Sequence, residues 1–460
     1  MEGITIQEVI AATGGDLLGG DASAKATGVS IDTRTLKPGD LFFALKGERT
    51  DGHAYVDEAI KKGASGIVIA ENSYLPKADV PVVGVSDTLW ALGDLASYYR
   101  SKFDVRVVAI TGSVGKTTTK EMTASVLSRK WNVLKNAANF NNEIGVPLTL
   151  FQLDRTHEIV VLEMAMRGLG EIRRLSQIAK PHIGVITNIG ISHIERLGSQ
   201  GAIAEAKSEL LSELPPDGIA ILNAEDGYFE FLKHRFAGRI ISFGSCKSAD
   251  VIGARIKQAA CGRYEFVLVV EGAAIKISIP VLGRYNVYNA LAAAATGYAL
   301  GVDLRLIREG LENFTPPAMR MELVRSRAGY VVLNDAYNAS PASTLAALRT
   351  LQSLSGYKRR IAVLGDMLEL GDYAPKAHKD VGVAAVETGV DMLITVGELA
   401  RGIAEGARMR GLSDSAVQWF PDSLHAAEYL KKQVADGDAI LVKGSRAMKM
   451  EEIVRILLSE

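Results

Sequence analysis

The fold of this chain is decided by one stretch, Val105-Arg106-Val107-Val108-Ala109-Ile110-Thr111-Gly112-Ser113-Val114-Gly115-Lys116-Thr117-Thr118-Thr119-Lys120. Its apolar, β-branched first half predicts a buried strand, and the apolar residues at helical spacing after Lys120 predict a helix. Between them, Gly112 and Gly115 let backbone N–H groups approach an anion, which the positive end of the helix dipole also attracts. The stretch therefore predicts a phosphate-binding loop for a nucleotide.

Two side chains of this loop have the chemistry that a bound nucleotide requires. Lys116 is expected to reach the β- and γ-phosphates, and the Thr117 hydroxyl to take one position in the octahedral shell of Mg²⁺. The loop is shorter than the general phosphate-loop pattern, because Ile110 stands where that pattern has a glycine. A tight turn with a helix-capping threonine is the alternative interpretation.

Length and composition indicate a folded protein of several domains. The 460 residues suggest about three domains at roughly 150 residues each. A hydrophobic fraction of 48% with 23% charged residues is typical of soluble α/β proteins. The net charge of −1 provides no overall field that would attract DNA or RNA, so we expect no nucleic-acid partner.

Cysteine usage and the N-terminal residues bear on where the protein works. Cys246 and Cys261 are too few for a disulfide framework and do not form a metal-binding pattern, which favours a reducing cytosol. The N-terminal residues include the acidic Glu2 and Glu8 and show no basic segment of the kind that begins a leader peptide. No run of about 18 apolar residues, the length of a membrane-spanning helix, occurs in the sequence. We therefore expect a cytoplasmic chain that is neither exported nor membrane-spanning.

Residues 1–102 are predicted to form a small α/β domain. Its periodicity predicts helices at 4–12 and 54–62 and strands at 41–45, 66–70 and 82–85. Ser30, Asp32 and Arg34 alternate along a segment predicted to be extended, so their side chains would share one face. That face suits a polar ligand, although a solvated strand face gives the same pattern.

Residues 103–314 repeat the alternation of strands and helices behind the phosphate loop. The strand 158–162 ends at Glu163, and the strand 183–186 leads to His193. Ligands of open α/β sheets bind beyond the carboxyl ends of the strands, so both side chains are placed to hold Mg²⁺. The alternatives are an N-cap or solvated strand end for Glu163 and a structural role for His193. Residues 250–280 alternate at period two, which predicts an antiparallel insertion or edge.

The segment 136–147 is unusually rich in side-chain amides, Asn139 and Asn142 among them. Amides both donate and accept hydrogen bonds, which suits a sugar or peptide ligand. Asparagine is also a routine loop residue.

Residues 315–460 are predicted to form a third domain after the linker Phe314-Thr315-Pro316-Pro317-Ala318, where consecutive prolines bar a helix. Strands at 330–333, 361–364, 392–396 and 439–442 alternate with helices, which predicts a parallel, Rossmann-like sheet. No Gly-x-Gly-x-x-Gly motif follows its first strand, so a dinucleotide site is poorly supported.

These motifs together resemble the Mur ligase family of ATP-dependent amide-bond-forming enzymes, over nearly the whole chain. The resemblance is carried by the phosphate loop, the strand end at Glu163, residues 187–193, 206–209 and 283–290, and, for one member, residues 30–34, 139–147, 334–341 and 364–371. It implies three α/β domains: a small N-terminal domain, a central P-loop mononucleotide-binding domain and a C-terminal Rossmann-like domain. It also implies hinges near Phe103 and Pro316 that close the domains.

The resemblance further implies the reaction and its participants. The expected substrates are UDP-N-acetylmuramoyl-tripeptide and D-alanyl-D-alanine, joined with ATP and Mg²⁺ through an acyl phosphate by a chain expected to be a monomer. Two alternatives are another amide ligase of the family, folylpolyglutamate synthase included, and a nucleotide-switched binding protein. The absence of an Asp-Asn-Pro-Arg motif argues against a diaminopimelate-adding enzyme.

By resemblance, individual positions receive expected roles. Asn289 is placed on the adenine, Arg320 and Asp335 near the ATP, and the regions 30–34 and 43–47, Gly47 included, on the uridine diphosphate. The predicted catalytic residues are Lys116, Glu163, His193 and Lys207; the predicted metal ligands are Thr117, Glu163 and His193; the predicted nucleotide-binding residues are Gly112, Ser113, Val114, Gly115, Lys116, Thr117, Thr118, Asn289, Arg320 and Asp335; and the predicted substrate residues are Ser30, Asp32, Arg34, Gly47, Asn139, Asn142 and Asn338.

Lys207 has two interpretations. The matching lysine of related Mur ligases is carbamylated, which turns a cation into an anion that can ligate or orient a second Mg²⁺. The alternative interpretation is a solvated lysine on an exposed helix face.

Overall fold

The computed structural model describes residues 1–47, 50–71, 79–137, 139–192, 194–259 and 263–459. His193 and Cys261 therefore lie outside the described residues. In the first part of the chain the elements are β1 (Ile4–Thr5), α1 (Ile6–Thr13), β2 (Asp16–Gly19), β3 (Lys25–Ala26), β4 (Gly28–Ser30), β5 (Asp40–Phe43), α2 (Val56–Lys61), β6 (Gly66–Ala70), β7 (Val82–Val85) and α3 (Thr88–Ser101).

These strands form a five-stranded sheet of order β2-β7-β6-β5-β4, in which only β2 is antiparallel to its neighbour. The pair β1–β3 forms a separate two-stranded ribbon. The predicted helix 4–12 begins two residues late, because Thr5 is extended and caps α1 in a reciprocal capping box with Glu8.

The prediction that residues 30–34 are extended is wrong. Strand β4 ends at Ser30, and residues 33–35 form a turn. Asp32 causes the turn, since its carboxylate accepts the backbone N–H of Arg34 (2.9 Å) and also pairs with the guanidinium (2.6 Å). An aspartate that bonds the backbone two residues ahead competes with strand formation. Ser30, Asp32 and Arg34 thus do not share a strand face.

The central part of the chain contains a nine-stranded sheet of order β16-β15-β14-β13-β12-β11-β8-β10-β9. Its elements are β8 (Arg106–Thr111), α4 (Lys116–Leu127), β9 (Val133–Lys135), α5 (Gly145–Leu150), β10 (Ile159–Glu163), α6 (Glu171–Ala179), β11 (Ile183–Ile186), α7 (Ile194–Leu197), α8 (Gln200–Ser212), β12 (Ile219–Asn223), α9 (Phe229–Lys233), β13 (Arg239–Gly244), β14 (Val251–Gln258), β15 (Tyr264–Val270), β16 (Ala273–Ile279), α10 (Tyr285–Ala299) and α11 (Leu304–Glu312).

In sheet order, all neighbouring strands from β9 to β14 are parallel, β8 among them. Strand β15 is antiparallel to both of its neighbours, β14 and β16, as the alternation at 250–280 predicted. Successive residues of β8 pack into different cores: Val107 and Ala109 on one face, Val108 and Ile110 on the other. A parallel strand covered on both faces needs such a continuous apolar run. Because β10 and β11 flank β8 on opposite sides, the strand order changes direction at the phosphate loop, where a ligand crevice is expected.

The last part of the chain forms a six-stranded sheet of order β17-β18-β22-β19-β20-β21. Its elements are β17 (Glu322–Arg325), β18 (Val331–Asn334), α12 (Pro341–Ser353), β19 (Arg359–Gly365), α13 (Ala374–Glu387), β20 (Met392–Val396), α14 (Arg401–Met409), β21 (Val417–Phe420), α15 (Ser423–Gln433), β22 (Asp438–Lys443) and α16 (Glu451–Leu458).

All neighbouring strands of this sheet are parallel except β17, which is antiparallel to β18. The four predicted strands are present, and the predicted parallel Rossmann-like character is confirmed. The sequence analysis missed both edge strands, β17 and β21. Within the described ranges, no helix is both long enough and apolar enough to cross a membrane.

Candidate active site

The phosphate loop connects β8 to α4 and requires its two glycines. Gly112 has φ 145° and Gly115 has φ 90°, both in the range that favours glycine. A Cβ atom on Gly112 would lie 1.9 Å from Oγ1 of Thr187, and one on Gly115 would lie 2.3 Å from Oδ1 of Asn289. The loop therefore passes close to the end of β11 and to α10, and a side chain at either glycine would displace it.

The end of β11 holds the loop in place. Asn188 accepts the Val114 N–H on Oδ1 (3.0 Å) and donates from Nδ2 to the Val114 carbonyl (2.8 Å). Thr187 Oγ1 donates to the same carbonyl (2.7 Å). Since the first N–H groups of a helix have no partner within the helix, the start of α4 at Lys116 is left free to bind an anion.

Two lysines lie near this loop. Lys116 Nζ donates to the Gly112 carbonyl (2.8 Å), and burial lowers its pKa while the Glu163 carboxylate acts in the opposite direction. Lys207 is 1% exposed, so the solvated-surface interpretation is wrong. Burial, and after it the positive charge of Lys116, holds the Lys207 pKa well below its usual value. Within the part of the chain that the structure describes, the Lys207 ammonium makes no hydrogen bond or ion pair.

Glu163 ends β10 directly beside the phosphate loop, opposite Ile110 in the parallel register. It is 3% exposed, and Oε1 accepts a hydrogen bond from Asn141 Nδ2 (2.8 Å). The other oxygen, Oε2, is buried and has no hydrogen-bond partner among the described residues. A buried carboxylate oxygen without a partner fits a hard cation such as Mg²⁺.

No group of three or more His, Cys, Asp or Glu among the residues that the structure describes is placed to hold a metal ion. Mg²⁺ does not require one, because it usually binds one or two protein carboxylates together with waters and substrate phosphates. Thr117 Oγ1 and Glu163 Oε2 are thus the protein oxygens that suit it here. The predicted ligand His193 lies outside the described residues.

The third sheet contributes cations and a carboxylate to the same place. An Arg320 guanidinium nitrogen donates to Thr117 Oγ1 (3.2 Å), and the guanidinium carbon lies 4.0 Å from the centre of the Tyr337 ring. Asp335 accepts from the Met321 N–H (3.1 Å) and pairs with Lys443 (2.5 Å). Lys443, the last residue of β22, is buried and was not among the predicted site residues.

A cleft of about 1050 Å³ opens between these groups. The predicted residues that line it are Ser113, Val114, Gly115, Lys116, Thr117, Thr118, Asn139, Asn142, Glu163, Arg320, Asp335 and Asn338. The cleft is also lined by positions that no sequence motif singled out, such as Arg167 and Arg196. The structure therefore brings together predicted residues that are up to 225 positions apart in sequence, from Ser113 to Asn338.

A second cavity of about 320 Å³ adjoins the other side of the loop and contains Asn289. Its wall also includes Tyr288 from the motif at 283–290, and Asn223 and Glu225, which the sequence analysis did not identify. Asn223 is the last residue of β12, so the rule that ligands bind beyond carboxyl strand ends could have found it.

The amide-rich segment divides into residues that line the cleft and residues that face the protein. Asn139 and Asn142 line the cleft, although Asn142 also accepts the Gly145 N–H at the start of α5 (2.9 Å). Asn141 lines the cleft as well and donates to the Glu163 carboxylate, whereas the buried Asn136 bonds to the Glu163 backbone.

Ser30, Asp32, Arg34 and Gly47 lie apart from this cleft, and none of them lines it. The Arg34 side chain is 85% exposed and bound to Asp32. Their proposed contact with a nucleotide sugar therefore stays a prediction.

Three family models match the chain. They are the Mur ligase family catalytic domain at residues 25–100, the Mur ligase middle domain at 110–297 and the Mur ligase glutamate ligase domain at 319–446.

Similar proteins cover nearly the whole chain. UDP-N-acetylmuramoyl-tripeptide–D-alanyl-D-alanine ligase of Bacillus subtilis is 39% identical over 94% of this chain and 93% of its own length. The crystal structure of MurF from Acinetobacter baumannii has a TM-score of 0.92 and 32% identity over all of both chains. MurF ligase of Thermotoga maritima in complex with ADP has a TM-score of 0.83 and 27% identity over 94% of this chain and 97% of that one.

Proposed function

Because this chain belongs to the Mur ligase family of ATP-dependent amide ligases, we propose that it joins D-alanyl-D-alanine to UDP-N-acetylmuramoyl-tripeptide. The products are the UDP-muramoyl-pentapeptide precursor of peptidoglycan, ADP and phosphate. The proposal is supported by relatives of that activity that match over nearly their full length. Tripeptides ending in lysine and in meso-diaminopimelate both remain candidate substrates.

The observation that carries the proposal is the cleft shared by the central and third sheets. A nucleoside triphosphate bound to the loop at Lys116 would extend its terminal phosphate towards Glu163 and Arg320, which line the same cleft. At about 1050 Å³ the cleft is at the upper end of the range for ligand sites, which is about 300–1,000 Å³.

The terminal carboxylate of the tripeptide is a poor electrophile, and phosphorylation by ATP activates it. An oxygen of the tripeptide's terminal carboxylate attacks the γ-phosphorus of ATP, and ADP leaves. The amine of D-alanyl-D-alanine then attacks the acyl phosphate carbon, and the tetrahedral intermediate expels phosphate and loses a proton to form the amide. Phosphoryl transfer depends mainly on positioning and charge neutralisation, so Lys116, Arg320 and the start of α4 have the main tasks.

The positions of the nucleotide-binding residues support the roles that we propose for them. The N–H groups at the start of α4 and Lys116 would bind the phosphates, and Asn289, which lines the second cavity, would contact the adenine. Mg²⁺, when bound, would neutralise negative charge on the phosphates. Thr117, Glu163 and His193 are the residues that we propose to hold it.

Carbamylation of Lys207 is part of the proposal. The neutral amine adds to the carbon of CO₂ and releases one proton, which leaves an anionic carbamate. The burial that lowers the Lys207 pKa favours the neutral, nucleophilic amine. Glu209 does not compete for this lysine, because its carboxylate accepts the N–H groups of Gly170 (2.7 Å) and Arg173 (3.1 Å).

The domain assignment is likewise proposed, with boundaries at 1–102, 103–314 and 315–460. The first unit binds the uridine diphosphate portion through Ser30, Asp32, Arg34 and Gly47, and the protein works as a cytoplasmic monomer. Closure at hinges near Phe103 and Pro316 brings the three units onto the substrates.

Phosphate release tests the proposed function. The purified protein should release phosphate from ATP only when both UDP-N-acetylmuramoyl-tripeptide and D-alanyl-D-alanine are present, and the pentapeptide product should appear by mass spectrometry. Parallel reactions with lysine- and diaminopimelate-containing tripeptides identify the preferred substrate. Phosphate release that does not need the pair would contradict a ligase and favour a nucleotide switch.

A further inference from the structure

Asn136 is buried directly behind Glu163, with 0% of its surface exposed. Its side-chain amide bonds to both backbone groups of that glutamate. The Glu163 N–H donates to Asn136 Oδ1 (2.9 Å), and Asn136 Nδ2 donates to the Glu163 carbonyl (3.0 Å). One amide thus satisfies a peptide donor and a peptide acceptor at the strand end that carries the proposed metal ligand.

This pair of bonds continues the sheet beyond its last backbone pairing. Strand β9 ends at Lys135, which is opposite Val161, and the Asn136 N–H still reaches the Val161 carbonyl (3.4 Å). After that point the main chain leaves the sheet, and the Asn136 side chain makes the hydrogen bonds to the Glu163 backbone that a neighbouring strand would otherwise make. Because the backbone of Glu163 is held on this side, the direction of its side chain is held as well.

The same amide also fixes a second support for the carboxylate. Asn136 Nδ2 donates to the Phe140 carbonyl (2.8 Å), which sets the position of the next residue, Asn141. Asn141 then donates from Nδ2 to Glu163 Oε1 (2.8 Å), and its carbonyl accepts the Ala165 N–H (2.8 Å). With Oε1 occupied in this way, Oε2 is the oxygen left without a partner.

A lysine ties this arrangement to the phosphate-loop helix. Lys120 lies one turn after Lys116 on α4, is fully buried, and donates from Nζ to the Asn136 carbonyl (2.7 Å). Its charge is compensated by Glu121 at 3.1 Å. The helix that begins at the phosphates therefore also holds the residue behind Glu163.

We propose that Asn136 is a positioning residue for Glu163, acting through the Glu163 backbone and through Asn141 so that Oε2 faces the metal. The proposal rests on the assignment of Glu163 as a Mg²⁺ ligand under the proposed function. It gives Asn136, the buried asparagine of the amide-rich segment, a task in metal binding, while Asn139, Asn141 and Asn142 line the cleft.

The test measures Mg²⁺-dependent ADP binding, which needs no turnover. Isothermal titration of ADP is done in EDTA and at increasing Mg²⁺ with the parent protein, Asn136→Leu and Glu163→Gln. Leucine has a similar shape but can neither donate nor accept. The matched control is Asn132→Leu, since Asn132 is an exposed asparagine just before β9 that bonds to Thr156.

We expect Asn136→Leu to raise the Mg²⁺ concentration for half-maximal enhancement of ADP binding by about 10- to 100-fold, as loss of a group that orients a metal ligand typically does. ADP binding in EDTA should be unchanged, because the loop and the second cavity are intact. Asn132→Leu should match the parent in both titrations. A general loss of stability would lower both affinities together and would not move the Mg²⁺ dependence alone.

An Asn136→Leu protein with the parent's Mg²⁺ dependence would overturn the positioning role, as would a parent whose ADP binding ignores Mg²⁺. If Asn136→Leu does not melt cooperatively, Asn141→Ala tests the same support from the cleft side and should shift the Mg²⁺ requirement in the same direction; no shift there overturns the proposal. A parent that shows Mg²⁺-dependent ADP binding but no ligation would contradict the proposed function alone.

Discussion

Strands β8 and β4 both end in polar residues, but those residues have different surroundings in the folded protein. Polar residues follow both strands, at 111–118 and at 30–34. After β8 they meet groups from β10, β11 and the third sheet, and many of them are buried. After β4 they bond to each other, as Ser30 does to Asp32 and Asp32 to Arg34; Ser30 and Thr33 are buried, and the Arg34 side chain is exposed.

The position of each strand in its sheet explains the difference. Strand β8 lies between β10 and β11, so two further parallel strands end beside it and bring Glu163 and Asn188 to its loop. Strand β4 is at the edge of its sheet and has one neighbour, β5. Polar residues at a strand end thus form a site where the ends of neighbouring strands lie beside them. At the edge of a sheet, the same kind of residues form hydrogen bonds with one another instead.

The largest effect is expected from Lys116→Ala on the β8 side. Removing a charged group that stabilises the transferred phosphate reduces rates by at least about 100- to 1,000-fold, so we expect no measurable ligation. Phosphate release measures it, and circular dichroism should show an unchanged fold. Lys130→Ala is the control, because the Lys130 ammonium bonds a surface carbonyl, that of Gly301. Substantial turnover by a folded Lys116→Ala protein would remove the lysine from the site.

Lys207→Ala should reduce ligation strongly, and added short-chain carboxylates should restore part of it. A small carboxylate can occupy the space of the lost carbamate and supply its negative charge. The assay compares acetate with chloride at equal ionic strength, so that salt effects cancel. Activity close to that of the parent, or a loss that acetate does not change, would argue that Lys207 has no carbamate role.

Glu163→Gln should raise the Mg²⁺ concentration needed for half-maximal ligation by at least about tenfold, because a neutral amide is a weaker ligand for a hard cation. Glu158→Gln is the matched control. Glu158 is next to the other end of β10, where its carboxylate accepts the Asn132 N–H (3.0 Å). Identical Mg²⁺ titrations for the parent and Glu163→Gln would exclude Glu163 from the metal site.

The smallest effect is expected on the β4 side. Arg34→Ala should weaken binding of the UDP-linked tripeptide by about tenfold, as for a lost contact to a charged group, and leave ADP affinity and the melting temperature unchanged. Calorimetric titrations with both ligands measure this. Equal losses for the two ligands would indicate misfolding, and no loss for either would show that the segment is only a solvated turn.

Much of the fold could be predicted because its signals are local. The strand, glycine turn and helix at 105–127 lie next to each other in sequence, and the apolar runs of the parallel strands are distinct. The edge strands β17 and β21 were missed because Glu322–Arg325 and Val417–Phe420 are short and only partly buried, so neither has a clear apolar pattern.

Side-chain surroundings were less accessible to prediction. Helix α8 is buried on more than one side, packing on α6 and β11, so its pattern could not show whether Lys207 faces water. Likewise, asparagines of the same segment have different surroundings: Asn136 bonds to Glu163, and Asn139 lines the cleft. Nothing in the local sequence distinguishes them, because the difference depends on which strand passes nearby.

The sequence by itself determined a nucleotide-phosphate loop, three α/β units and a resemblance to a ligase family, since these depend on residue types at short, fixed spacings. Only the tertiary structure decided that Arg320 contacts Thr117, that Lys207 is buried with no hydrogen-bond partner among the described residues, and that Asp32 pairs with Arg34. The physical reason is that burial and long-range hydrogen bonds arise when separate strands and helices pack, and the chain's local preferences do not specify those neighbours.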